Sequence, residues 1–163
     1  QHFDVAEQGA FTGHLTPHSL KEMGVFGSLL KQTEKKLSIE TLAKAIDLAR
    51  SMDLFTVVCA DTAYTGKALS ELNPDLVAIE PPELIGGDVS VASAEPQLIQ
   101  DAVQMIGNNK VLVGAGIKTG EDTRLAIEYG ACGILVASGV VKSLDPEMVL
   151  RDLIQGMKTA KRA

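Results

Sequence analysis

Val77-Ala78-Ile79-Glu80-Pro81-Pro82-Glu83-Leu84-Ile85-Gly86-Gly87 runs from an unbroken apolar strand into a carboxylate, two prolines and a glycine pair. A strand with no polar alternation is expected where both of its faces are covered, as in a parallel sheet flanked by helices. The prolines restrict φ and remove two backbone donors, so the chain leaves the sheet at Glu80. A strand end is a stiff mount for an acid or a base. Gly86 and Gly87 open backbone conformations closed to other residues, which suits a closing flap or a phosphate cradle. Taken alone, Glu80 is more readily read as a solvated residue at the end of a strand.

The same strand, loop, helix order repeats on either side. Val25–Leu30, Phe55–Ala60, Lys110–Val113 and Gly133–Val136 are further apolar runs. Between them the spacing predicts helices. Ser38 is a plausible N-cap for a helix to about Met52, with Ile39, Leu42, Ile46 and Ala49 on one stripe. A short helix spans Thr65–Leu72, and another spans Pro96 to about Ile106. Thr119-Gly120-Glu121-Asp122 resembles a capping box opening a helix to Tyr129. Thr16-Pro17 and Asp145-Pro146 place a cap before a first-turn proline, opening helices to Met23 and to about Met157. A faint repeat pairs Glu22-Met23-Gly24-Val25-Phe26-Gly27 with Glu128-Tyr129-Gly130-Ala131-Cys132-Gly133, each glycine ending a helix in the C′ position. Gln1-His2-Phe3-Asp4 is the expected end of a sixth strand, so the chain begins inside an element and an N-terminal part is expected to precede it. About six βα units in one domain over residues 1–163 fit either an open doubly wound sheet or a (β/α)8 barrel incomplete at its N-terminus.

Composition narrows the function. The chain carries a net charge of −6 and 4% aromatic residues with no Trp, which argues against a nucleic-acid surface or base stacking. No apolar run approaches the length of a membrane span and no signal peptide is evident, so a soluble cytoplasmic protein is expected. Cys59 and Cys132 lie far apart in apolar runs and are expected as two buried thiols rather than a disulfide or metal site. His2, His14 and His18 show no ligand spacing, and Pro17 between the last two marks a helix start. No metal and no cofactor are expected.

Polar and glycine-rich residues gather after the strands: Lys31-Gln32-Thr33-Glu34, Glu80 with its flap, Gly114-Ala115-Gly116, and Ala137-Ser138-Gly139. In either parallel architecture the C-terminal strand ends share one crevice, where backbone N–H groups of such turns can cradle a phosphate. Gly114-Ala115-Gly116 lacks the third glycine of a dinucleotide fingerprint.

Ala78-Ile79-Glu80-Pro81-Pro82-Glu83-Leu84-Ile85-Gly86, Gly114-Ala115-Gly116-Ile117 with Thr119-Gly120-Glu121-Asp122, and Leu135-Val136-Ala137-Ser138-Gly139-Val140 occur in that order. In these blocks, and over nearly all its length, the chain resembles the triosephosphate isomerases, most closely the short archaeal type. The resemblance implies a TIM barrel entered at the end of its third strand, with two βα units ahead of Gln1. It implies that Glu80 is the catalytic base and that Pro81 to about Ser90 is a closing lid. Ile85, Gly116, Ala137 and Ser138 match positions giving backbone contacts to the phosphate, and Glu34 matches an acid beside the catalytic cluster. This family is itself the reference case of a glutamate base beside a neutral histidine electrophile.

The chain departs from the family pattern at the electrophile. Gln32 stands where the family carries that histidine, in Lys31-Gln32-Thr33-Glu34. An amide donates a hydrogen bond but cannot shuttle a proton between two oxygens, and such acid catalysis is worth about 10²–10⁴-fold. The family's catalytic lysine follows the first strand, ahead of these residues. Asp88 departs from the lid hinge and is expected to bring negative charge toward the phosphate. Two functions are therefore carried forward. One is a triosephosphate isomerase homologue, degenerate or inactive as it stands, acting as a structural or regulatory subunit or partner-binding scaffold. The other is a triosephosphate isomerase interconverting dihydroxyacetone phosphate and glyceraldehyde 3-phosphate, of which these residues are a fragment. The expected ligand is a triose phosphate or another phosphate, with no nucleic acid and no membrane as partner. A homo-oligomer, or another protein chain, is expected to cover the open barrel edges. By resemblance, the loop from Asp4 to Thr12 corresponds to one that packs against a neighbouring subunit.

Overall fold

The computed structural model describes residues 2–161. In chain order the elements are α1 (Pro17–Glu22), β1 (Gly27–Leu30), α2 (Ile39–Ser51), β2 (Phe55–Ala60), α3 (Ala63–Ser70), β3 (Leu76–Ile79), a 3-10 turn at Pro82–Leu84, α4 (Val91–Ala94), α5 (Pro96–Ile106), β4 (Val111–Val113), α6 (Gly120–Glu128), β5 (Gly133–Ile134), α7 (Ser138–Val141) and α8 (Pro146–Thr159). The five strands form one parallel sheet in the order β1-β2-β3-β4-β5. A doubly wound sheet reverses its winding and places the first strand inside. Here each strand pairs with the next without reversal, as in one arc of a (β/α) barrel. The open-sheet alternative is thereby set aside.

Sequence-local signals account for most element starts. Ser38 accepts the Thr41 N–H at 3.1 Å, and Asp145 accepts the Met148 N–H at 2.9 Å. Thr119 and Asp122 form the reciprocal capping box. The repeated glycines behave alike. Gly24 and Gly130 have φ of +75° and +101°. The N–H groups of Val25 and Ala131 reach back to the carbonyls of Leu20 and Ala126, while Gly24 and Gly130 bond Lys21 and Ile127. Both helix ends are thus Schellman motifs, in which only glycine adopts the left-handed C′ residue without strain.

The core lies between the sheet and its helices. Leu42, Ala45, Ile46 and Ala49 of α2, Leu69 of α3, Ile99 and Ala102 of α5 and Leu153 of α8 are all buried. α6 and α8 meet backbone to backbone: a Cβ on Gly156 would overlap the Gly120 carbonyl. The Gly120 N–H donates to the Asp152 carboxylate at 2.6 Å.

Three expectations need correction. His2–Asp4 form no strand, and Gln1 lies outside the described residues, so the sheet has five strands where six were expected. Asp4 instead bonds its own loop, its N–H to the Leu15 carbonyl at 2.8 Å and its carboxylate to the Leu15 N–H at 3.0 Å. Burial on both strand faces holds in β3 and at the end of β2, where successive residues are buried. It fails in β1 and β4, which alternate buried and half-buried positions. Cys132, just ahead of the edge strand β5, is half-buried, whereas Cys59 is buried.

Candidate active site

The strand ends converge on one cleft, whose lining includes Gln32, Glu80, Ile85, Gly116, Ala137 and Ser138. Six of the seven site residues expected from sequence therefore meet in one place. The seventh, Glu34, is exposed and outside the lining, though its charge reaches Glu80.

Glu80 is held from three sides. Its N–H donates to the Ala60 carbonyl at 2.9 Å, prolonging the sheet ladder one residue past β3. Its carboxylate accepts a hydrogen bond from the Cys59 thiol on β2. Its side chain runs along Gly114, where a Cβ would lie 2.5 Å from Oε1. Burial holds Glu80 above the ordinary carboxylate range; the Glu34 charge pushes the same way, and the Cys59 bond pulls back. Cys59 in turn is raised far above the usual thiol range, by burial first and then by Glu80, so it remains a donor. A half-buried carboxylate with raised proton affinity is matched to proton abstraction near neutral pH.

The flap is built from rigid pieces with one loose joint. Pro81 (φ −56°, ψ 120°) leads into the 3-10 turn, and Gly86 at φ +73° is the joint. Ser90 caps α4 and the Val91 N–H donates to the Ala115 carbonyl at 3.1 Å. Gly116, at φ +68°, lies so close to the Val89 carbonyl that no Cβ fits. The flap's far end thus rests on the turn after β4. Ala115 (φ 78°) and Lys31 (φ 60°) are non-glycine residues in the left-handed region. Each costs about 1–2 kcal/mol, a strain that concentrates at functional sites.

Asp122 organises the next loop. Burial alone would raise its pKa, but bonds from Ser90, the Lys118 N–H and Thr119 hold it below the ordinary range. It accepts the N–H groups of Lys118 and Thr119 at 3.1 and 2.9 Å. Lys118, which also lines the cleft, places Nζ 2.6 Å from Asp88 Oδ1. The negative charge expected from Asp88 near the phosphate turns is therefore matched by a cation. Sequence reasoning missed Cys59, Lys118 and Asp122 as site residues. Cys59 had one available signal: it lies one residue from the end of β2, and parallel register sets it beside Ala78 on β3. Nothing local marked Lys118. Among the described residues no group of three His, Cys, Asp or Glu could hold a metal ion, and no helix is long and apolar enough to cross a membrane.

The family model for triosephosphate isomerase matches residues 1–157. A triosephosphate isomerase of Methanoculleus marisnigri is 44% identical over 158 residues, covering 94% of this chain and 71% of the relative. The chain belongs to the triosephosphate isomerase family. A Methanobacterium bryantii triosephosphate isomerase is 42% identical, with 94% of this chain and 70% of the relative covered. One from Cenarchaeum symbiosum is 44% identical, with 96% and 72% covered. Among solved structures, a thiamine phosphate pyrophosphorylase from Pyrococcus furiosus superposes with a TM-score of 0.66 at 14% identity, over 86% of this chain and 63% of that one. That likeness is one of fold. Within the triosephosphate isomerase family, a glutamate at a strand end beside glycine turns is the arrangement to be explained.

Proposed function

We propose that this chain carries the base and the phosphate cradle of a triosephosphate isomerase-type site, acting on dihydroxyacetone phosphate and glyceraldehyde 3-phosphate. The observation that carries this reading is the convergence of Glu80, held by Cys59 and Gly114, with the Gly116 and Ala137–Gly139 turns in one flap-covered cleft. Glu80 would take a proton from the carbon next to the carbonyl and return it to the neighbouring carbon. The C–H electron pair forms the enediolate's double bond and the carbonyl oxygen gains the charge. Turn amides would hold the phosphate while the flap excludes water, which guards the enediolate against phosphate loss. Gln32, half-buried in the cleft, would donate its amide N–H to the developing oxyanion. It has no proton to give up, so turnover would run about 10²–10⁴-fold below a site with a histidine there.

A coupled assay with dihydroxyacetone phosphate tests this. Slow turnover that is lost in Glu80→Gln supports it. Gln32 favours a second reading, in which the chain is a non-isomerising scaffold or regulatory subunit. That reading gains if phosphoglycolate binds calorimetrically while turnover is nil. Among the described residues β1 and β5 have unpaired edges, which a second copy or another chain is proposed to cover. A monomeric sedimentation peak with a cooperative melt counts against that cover.

A further inference from the structure

Among the described residues, the flap's one ion pair joins Asp88 Oδ1 to Lys118 Nζ at 2.6 Å. We propose that Lys118 is a ligand to the substrate's phosphate and that Asp88 is its built-in competitor, so that flap and phosphate take turns on one ammonium group. This rests on reading the cleft as a phosphate-ligand site.

Lys118 follows the turn after β4, and it lines the cleft together with Gly116, Ser138 and Gly139. Its backbone is fixed, because Asp122 accepts its N–H at 3.1 Å. Its side chain is 39% exposed, whereas that of Asp88 is 98% exposed. An exposed pair of this kind is worth about 0–1 kcal/mol, so it exchanges readily. A phosphate dianion held by the turn amides offers more charge and more acceptor oxygens than one carboxylate. Asp88 loses little on release, since water already surrounds it. It sits after the Gly86 joint and before Val89, whose carbonyl packs on Gly116. The pair therefore pins the flap, just short of its far end, to the loop that leaves the turn on which that end rests. When phosphate takes Lys118, that pin is released and the flap is free to settle over the bound ligand. Lys142 shares an adjoining hollow with Lys118 and Ser138, so the rim becomes positive once Asp88 leaves.

Calorimetric titration with phosphoglycolate, and with inorganic phosphate as the minimal probe, tests the exchange. Asp88→Asn should tighten phosphoglycolate binding about two- to fivefold. Lys118→Gln should weaken it about tenfold or more, and Lys118→Arg should retain it. Asp88 removal also relieves a repulsion that needs no Lys118, so the pair is read as a cycle: in the Lys118→Gln background the gain from Asp88→Asn should vanish. An equal gain in both backgrounds, or unchanged binding in Lys118→Gln, overturns the exchange and leaves the phosphate site standing. Failure of the parent chain to bind either probe overturns both. Both side chains face water, and a thermal melt of each variant shows that the fold is kept.

Discussion

The two sides of the cleft are built to different standards. Around β3, β4 and β5, Glu80 is fixed by a ladder bond, a thiol and a glycine contact, and the next loop is gathered on Asp122. Around the end of β1, Gln32 reaches the cleft with no side-chain hydrogen bond among the described residues, next to Lys31 in a strained backbone conformation. On the proposed isomerase reading, the side that would abstract the proton is held in order, and the side that would polarise the carbonyl is left loose. Preorganisation is what makes an electrostatic group effective in a transition state, so the loose side is where rate is expected to be recovered.

Breaking the ordered side should have the largest effect. Glu80→Gln should abolish turnover in the coupled assay, a loss on the order of 10⁴-fold. Restoring the loose side comes next: Gln32→His should raise kcat by about 10²–10³-fold while leaving phosphoglycolate affinity nearly unchanged. Comparable rates for the two proteins would show that the asymmetry is without catalytic meaning. Gly114→Ala pushes a Cβ into Glu80 and should cost about 1–3 kcal/mol in denaturant unfolding, with a fall in kcat larger than any change in KM.

Smaller effects are expected in the pH dependence. Cys59→Ala removes the bond that pulls the Glu80 pKa down, so the acid limb of kcat/KM against pH should move upward. Cys59→Ser, which keeps a donor, should leave that limb near its original place. Smallest is a stability effect. Because the folded-state pKa of Glu80 lies above its ordinary value of 4.5, the carboxyl favours folding most below that value. That contribution is lost as pH rises through the raised value. Glu80→Gln should therefore melt higher than the parent at pH 8 and level with it at pH 4.

Much of the arrangement was legible in the chain. Ser38, Thr119 and Asp145 announce helix starts through bonds three residues long, and the glycines at 24 and 130 announce helix ends in a similarly local way. Glu80 could be found because strand, carboxylate and double proline are contiguous. Asp88 was visible only as a charge in the flap. Its partner is 30 positions away, and no spacing rule joins a flap residue to a loop after the next strand. The short helices at 91–94 and 138–141 were missed because four residues cannot show a helical period.

The linear order of residues set the capped starts of the longer helices, the apolar runs that become strands, and Glu80 at a strand end, since each of these depends on neighbours within a few residues. Only the tertiary structure decided that the sheet winds one way rather than two, that Cys59 meets Glu80, that Gly114 and Gly116 are spaces for other residues, and that Lys118 answers Asp88. Those facts depend on parallel register and close backbone approach between distant segments. They come from packing, which the linear order of residues does not carry.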